Sequence, residues 1–164
     1  MRRITLLSAF VFLLIPASVE AQPRLMIGGG LSNPTGDFSD VAGSGFHGRA
    51  GLQIGVPAFP LAVRADGEYH SFGEEDPALG KYSILDGTLS AVLSLGGIGL
   101  SPYVLAGIGA YRVSTDILDG SSQTGYHGGF GVSLGALGFG GWVELRYVKI
   151  EDLKYIPISV GIRL

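Results

Sequence analysis

The chain has 164 residues, one domain's worth, with 11 Lys and Arg against 14 Asp and Glu and no cysteine. That mild acidity gives no electrostatic reason to bind nucleic acid, and the absence of cysteine excludes a disulfide framework or a thiolate metal site. Charged residues are only 15% of the chain, well below the roughly 25% of soluble domains, and its 28 glycines far exceed the usual ~7%.

Arg2 and Arg3 precede an almost unbroken apolar run at 4–15, which Pro16 ends. Val19-Glu20-Ala21 then offers small or short side chains at the −3 and −1 positions of a cleavage site. This is an export-signal pattern, expected to occupy residues 1–21. The run is shorter than the ~20 apolar residues of a spanning helix. Arg2, Arg3 and Glu20 fall within residues 1–21, so the remainder at 22–164 carries nine basic and thirteen acidic residues, net −4, and every glycine. No later apolar run is long enough for a transmembrane helix. A mature chain that crosses a membrane must therefore cross as strands of a closed barrel.

About eight segments alternate with a period of two, separated by turn-rich stretches. The first, 24–32, alternates apolar residues with glycine and serine and leads into a polar connection at 33–44. The second sets Phe46, Ala50, Leu52, Ile54 and Val56 against His47, Arg49 and Gln53. After the short turn 57–60, the third is the clearest. Leu61, Val63, Ala65, Gly67 and Tyr69 share one face, and Arg64, Asp66, Glu68 and His70 share the other. A polar connection at 73–81 leads to the fourth, with Leu85, Leu89, Ala91, Leu93 and Leu95 against Asp86, Thr88, Ser90 and Ser94.

The fifth, 102–115, follows a short turn at 96–101, and its outward face is ambiguous because neither face is polar before Arg112. The sixth, 125–134, lies between a polar connection at 116–124 and a short turn at 135–138. It alternates apolar residues with glycine, serine or His127. The seventh sets Val143, Leu145 and Tyr147 against Glu144 and Arg146. After 151–154, the eighth sets Ile156, Ile158, Val160, Ile162 and Leu164 against Ser159, Gly161 and Arg163. Helices are a poor reading, since each helical glycine costs about 1 kcal/mol relative to alanine.

Short, nearly uncharged turns thus alternate with mostly longer polar connections, the asymmetry of a barrel with periplasmic turns and outer loops. An even strand count puts both termini on the short-turn side. A soluble lipocalin-like barrel would show the same alternation turned inside out. Three features favour lipid outside. The polar face is too poor in charge for a soluble surface, which needs about 25–35% charged residues. Phe46, Tyr69, Tyr126 and Tyr147 lie on the apolar face beside the longer connections, where an aromatic girdle belongs. The last strand alternates up to Leu164 itself.

That strand, Tyr155-Ile156-Pro157-Ile158-Ser159-Val160-Gly161-Ile162-Arg163-Leu164, resembles the closing strand of small outer-membrane β-barrel proteins of the OmpA/OmpX-like type. Leu31-Ser32-Asn33-Pro34-Thr35-Gly36-Asp37-Phe38 looks like their first strand entering its outer loop. Residues 102–111 are similar to a central strand. The resemblance spans the mature chain and implies a closed eight-stranded antiparallel up-and-down transmembrane barrel in the outer membrane. It also implies that the assembly machinery reads Ile156, Ile158, Val160, Ile162 and Leu164, although Leu164 stands where the family usually ends in Phe. Lipid and that machinery are the partners expected, with the protein itself a monomer.

If Val56 pairs with Leu61 across the four-residue turn, Arg49 faces Glu68, Gln53 faces Arg64 and His47 faces His70, all inward. Glu144 and Arg163 would meet on the last hairpin if it is symmetric. The expectation is an internal network of Arg49, Arg64, Asp66, Glu68, Asp86, Glu144, Arg146 and Arg163. An outward Arg or Lys at the bilayer midplane costs about 2–4 kcal/mol, whereas inside it is paired. Eight strands leave room only for side chains, so the network should fill the lumen.

Catalytic, cofactor and metal sites are not expected. His47 and His70 make at most a two-ligand clip, and a stable zinc site wants three or four ligands. The barrel lipid A deacylases use a His-Ser pair on one strand, but His127 is followed by Gly128 and Gly129. Ser133 shares its facing at about 20 Å along the strand. No nucleophile-elbow or phosphate-loop motif occurs. The sequence therefore favours a non-enzymatic barrel with a structural or surface-contact role. A narrow solute channel and a soluble barrel holding an apolar ligand are the alternatives.

Overall fold

The computed structural model describes residues 23–74, 80–97, 99–115, 120–136 and 139–164. The expected leader at 1–21 lies outside them, as do parts of the connections at 73–81 and 116–124. The described residues form eight strands: β1 Pro23–Thr35, β2 Ala42–Gly55, β3 Leu61–Glu74, β4 Tyr82–Ser94, β5 Leu100–Thr115, β6 Ser121–Ala136, β7 Phe139–Ile150 and β8 Leu153–Arg163. Each pairs antiparallel with its neighbour in sequence, and β1 with β8, into one closed barrel. Leu25 and Leu164 exchange both backbone hydrogen bonds, at 3.0 and 2.8 Å. Closure leaves no open sheet edge.

The period-two pattern sets the facing. Phe46, Tyr69, Leu85, Leu89, Val143, Val160 and Ile162 are exposed on the outside, while Arg49, Arg64, Glu68, Asp86, Glu144 and Arg146 are buried within. At the β2–β3 turn the Val56 N–H donates to the Leu61 carbonyl at 2.7 Å. The pairs Arg49↔Glu68, Gln53↔Arg64 and His47↔His70 follow as expected. The ambiguous fifth strand turns Tyr103, Leu105 and Tyr111 inward and Val104 and Ile108 outward. Its inward face looked apolar because it is built from tyrosine, leucine and glycine.

Two connections differ from the sequence reading. Between β1 and β2 there is only a 3₁₀ turn, Gly36–Asp40. Its Phe38 is buried among Phe72, Tyr82 and Tyr155 side chains at the barrel mouth. The last hairpin turns on Glu151 and Asp152 alone, with Glu151 at φ +46°. That tight turn places Ser159 opposite Glu144 and Arg163 opposite Gly140. Arg163 is four residues too far along to meet Glu144, and the expected pair does not form.

The lumen is layered. An apolar plug of Phe38, Phe72, Ile84, Val148, Ile150 and Tyr155 fills the loop end. Charged and hydrogen-bonded side chains fill the middle. A smaller apolar collar of Ala62, Val92, Tyr103 and Leu105 follows toward the short turns.

Inward glycines make this density feasible. Gly28, Gly161 and Trp142 are neighbours across β1, β8 and β7, and the indole lies over the glycine pair. A Cβ on Gly161 would sit 2.5 Å from the Trp142 ring, and one on Gly28 would sit 2.6 Å from it. The Arg49 guanidinium in turn stacks on that ring at 4.7 Å. Substituting Gly161→Val should therefore displace the indole and destabilise the barrel by about 1–3 kcal/mol, the usual cost of overpacking. Urea unfolding of the detergent-folded protein measures it. Gly48→Val, on the outer wall where a Cβ meets no atom within 4 Å, should change stability by less than about 0.5 kcal/mol.

Candidate functional site

The middle of the lumen is the chemical centre of the molecule. Strand β7 contributes Glu144 and Arg146, β2 Arg49, β3 Arg64, Asp66 and Glu68, and β4 Asp86. All seven are buried. Glu144 is the hub. Its Oε1 accepts from Arg49 Nη1 at 2.6 Å and Arg64 Nη2 at 3.0 Å. Its Oε2 accepts from Arg64 Nη1 and from the Tyr103 hydroxyl, each at 2.8 Å. Arg146 Nε adds an ion pair at 3.2 Å.

Asp66 forms a second node, accepting from Arg64 Nε at 2.9 Å and pairing with Arg49 Nη2 at 3.0 Å. Glu68 takes Arg146 on both carboxylate oxygens. One guanidinium thus bridges Glu68 and Glu144 across the barrel. Such pairing offsets the desolvation that an isolated buried charge incurs. Of the eight residues expected in the network, the structure brings these seven together and leaves out Arg163. That side chain is half-buried at the short-turn mouth and makes no ion pair among the described residues. It lines a cavity of about 380 Å³ with Arg24, Gln53, Ser101, Tyr103 and Ser133.

The sequence reading missed a histidine–serine layer above the ion pairs. Ser159 Oγ lies 2.8 Å from His47 Nε2, His47 Nδ1 lies 3.0 Å from Ser32 Oγ, and Ser32 Oγ lies 2.8 Å from His70 Nδ1. His70 Nε2 then faces Asp86 Oδ2 at 3.3 Å and Glu68 Oε2 at 3.5 Å. A second pair joins Ser90 Oγ to His127 Nε2 at 2.8 Å, with the Tyr111 hydroxyl 3.4 Å from Nδ1. These serines looked like filler on polar faces. Inward facing was the only available signal, since the Ser32–His70, Ser159–His47 and Ser90–His127 contacts each join strands that are not consecutive in sequence.

Serine beside histidine is the start of a nucleophile–base pair. All three serines here are nearly inaccessible, Ser32 and Ser159 at 0% and Ser90 at 2% exposure, and the cavity beside Arg163 is lined by none of them. The arrangement works as buried hydrogen-bond satisfaction.

The hub generates a stability prediction. Glu144→Gln retains shape but removes the charge facing three guanidinia, and should cost about 3–5 kcal/mol, as expected when one partner of a buried ion cluster is lost. Arg163→Gln, outside the cluster, should change stability by less than about 0.5 kcal/mol. Urea unfolding followed by tryptophan fluorescence compares the two. Equal midpoints would mean that Glu144 does not hold the cluster.

A family model described as "Outer membrane protein beta-barrel domain" matches residues 4–162. No curated protein matches the chain. Among solved structures, Neisserial surface protein A is similar at TM-score 0.68 and 17% identity, over 87% of this chain and 96% of that one. Ail, the attachment invasion locus protein of Yersinia pestis, is similar at TM-score 0.61 and 19% identity, over 89% and 100%. The outer membrane enzyme PagL is similar at TM-score 0.52 and 17% identity, over 87% and 99%. At these identities the likeness establishes the fold alone. The family match covers nearly the whole chain, and with the closed eight-stranded architecture it identifies the protein as a member of the outer membrane protein beta-barrel domain family.

Proposed function

We propose that this protein resides in the outer membrane as a non-enzymatic, side-chain-filled barrel with a structural or surface-contact role. The observation that carries the reading is the inverted distribution of polarity. Apolar side chains cover the outside of all eight strands, and the buried ionised groups lie within. A soluble barrel holding an apolar ligand would need the opposite arrangement. Phe46, 74% exposed, stands with Tyr69, Tyr126 and Tyr147 on the outer wall near the loop ends of their strands. Lys149 Nζ lies 5.9 Å from the Tyr126 ring centroid. Aromatic and basic groups side by side suit a headgroup boundary.

The filled lumen argues against a channel. A solute would have to pass the Phe38 plug, the ion-pair layer and the Tyr103 collar, each of them packed with buried side chains. The buried serine–histidine pairs likewise argue against hydrolysis. Surface contact is favoured by the kind of proteins this fold resembles, one called a surface protein and another an attachment invasion locus protein. The connections are short, so the contact area they present is small. The outward residues Ile158, Val160, Ile162 and Leu164, with the half-buried Ile156, form the outer face of the last strand, which we assign to recognition by the barrel-assembly machinery. We take the folded protein to be a monomer.

In cells the protein should fractionate with outer membranes, and unboiled samples should migrate differently from boiled ones on SDS gels. A soluble protein with no heat-dependent shift would remove the membrane assignment. In planar bilayers the refolded barrel should show no discrete conductance above background. Reproducible steps would replace the filled-lumen reading with a pore.

A further inference from the structure

We propose that Glu68, His70 and Asp86 form a divalent metal site inside the barrel, with zinc the ion that fits best. The three lie on adjoining strands. Glu68 and His70 are successive inward residues of β3, and Asp86 stands directly opposite Glu68 on β4. Directly opposed like charges destabilise a sheet, and here both are buried, so something positive is needed between them. Arg146 serves Glu68. Asp86 forms no ion pair with any arginine among the described residues, and its Oδ1 has no hydrogen-bond partner.

The spacing matches a metal. One ligand atom from each residue lies within 4.8 Å of the others. His70 Nε2 is 3.3 Å from Asp86 Oδ2 and 3.5 Å from Glu68 Oε2. Both separations exceed the usual N–H···O range of about 2.7–3.2 Å. They agree with the edge of a tetrahedron whose metal–ligand bonds are about 2.0–2.2 Å, roughly 3.3–3.6 Å. The second shell is in place as well. Metal-bound histidines characteristically have their other ring nitrogen held by a hydrogen bond, and Ser32 Oγ holds His70 Nδ1 at 2.8 Å. If Nδ1–H donates to Ser32, Ser32 donates to His47 Nδ1 and His47 Nε2–H donates to Ser159. Each of these three donors then has an acceptor, and the His70 Nε2 lone pair points at the two carboxylates. Two carboxylates repel a lone pair and accommodate a cation.

The fourth position falls to an oxygen. Tyr155, fully buried, packs its ring edge-on to His70 at 5.1 Å, and its hydroxyl has no hydrogen-bond partner. The Tyr155 oxygen or a bound water completes four-coordination. Charge allows the ion. The buried cluster holds three arginines against Asp66, Glu68, Asp86 and Glu144, a formal charge of −1. A divalent ion with one ionised oxygen, hydroxide or phenolate, as its fourth ligand brings the cluster to zero. One imidazole with oxygen ligands and no thiolate suits zinc, and a site this size suits neither calcium nor hydrated magnesium.

The test is to refold the full barrel in detergent with Zn²⁺ present, remove loose metal by chelator wash, and measure bound zinc by elemental analysis. About one zinc per heat-modifiable barrel is expected, and Co²⁺ substitution should give the visible absorption of tetrahedral cobalt. Asp86→Asn and His70→Gln should lower zinc below about 0.2 per barrel and abolish the cobalt band. His127→Gln, also a buried histidine in the lumen but outside the trio, should bind normally. Heat-dependent gel mobility verifies that each variant has folded. Wild-type barrel that folds yet holds less than about 0.2 zinc overturns the site, as does zinc that both trio variants retain.

Discussion

Charged side chains pair with one another inside a closed barrel whose outer wall is apolar, and this constraint governs the other features of the molecule. Seven acidic and basic side chains sit in the middle of the lumen, and one carboxylate, Glu144, touches three guanidinia contributed by β2, β3 and β7. The ties cross the barrel and do not simply follow its wall. Arg146 on β7 reaches Glu68 on β3, and Tyr103 on β5 reaches Glu144. A one-residue slip of any charged strand would turn its charges to the outside and its leucines inward. The partners left behind would then be buried and unpaired, at several kcal/mol. The network therefore specifies register. Outward alternation alone fixes which face is inside, whereas the cluster distinguishes registers that slip by two and preserve the facing.

Volume is the second constraint, and it follows from the first. An eight-stranded barrel that admits arginine, tyrosine and tryptophan must leave out side chains elsewhere. Gly28 and Gly161 sit under Trp142, Gly129 faces Arg146 and Gly107 faces His127. The glycine-rich first and sixth strands are the complement of the large residues on β5 and β7. Their weak alternation reflects that role, because an inward glycine has neither a polar nor an apolar signature.

The same reasoning separates what was legible in the sequence from what was not. Strand β3 was legible because both its faces are chemically explicit, and the β2–β3 register followed from a four-residue turn that leaves few alternatives. The facing of β5 was hidden because Tyr103 and Tyr111 reach inward polar partners only through their hydroxyls. Arg163 was misplaced because hairpin register depends on turn length, and two residues at 151–152 close what read as a longer connection. Phe38 read as a loop residue, since nothing local shows that a 3₁₀ turn will fold back into the mouth. The serine–histidine relay was illegible for a related reason: it joins β1, β2, β3 and β8 through tertiary closure.

Passage through such a lumen is limited energetically as well as sterically. A solute entering from the short-turn side reaches the vestibule lined by Arg24 and Arg163 and then meets Tyr103. The phenol is held by the same carboxylate that holds the arginines, so moving it disturbs the hub. An opening that left one member of that hub unpaired would cost about 3–5 kcal/mol. With each ~1.4 kcal/mol worth a factor of ten, such an open state is populated below about one part in a hundred. At the other end Phe38 belongs to an apolar core, and withdrawing it exposes a ring whose burial contributes roughly 1.5–3 kcal/mol. These costs act in series along one axis. With its axis closed in this way, the surfaces the barrel leaves accessible are its rims and its apolar, aromatic outer wall.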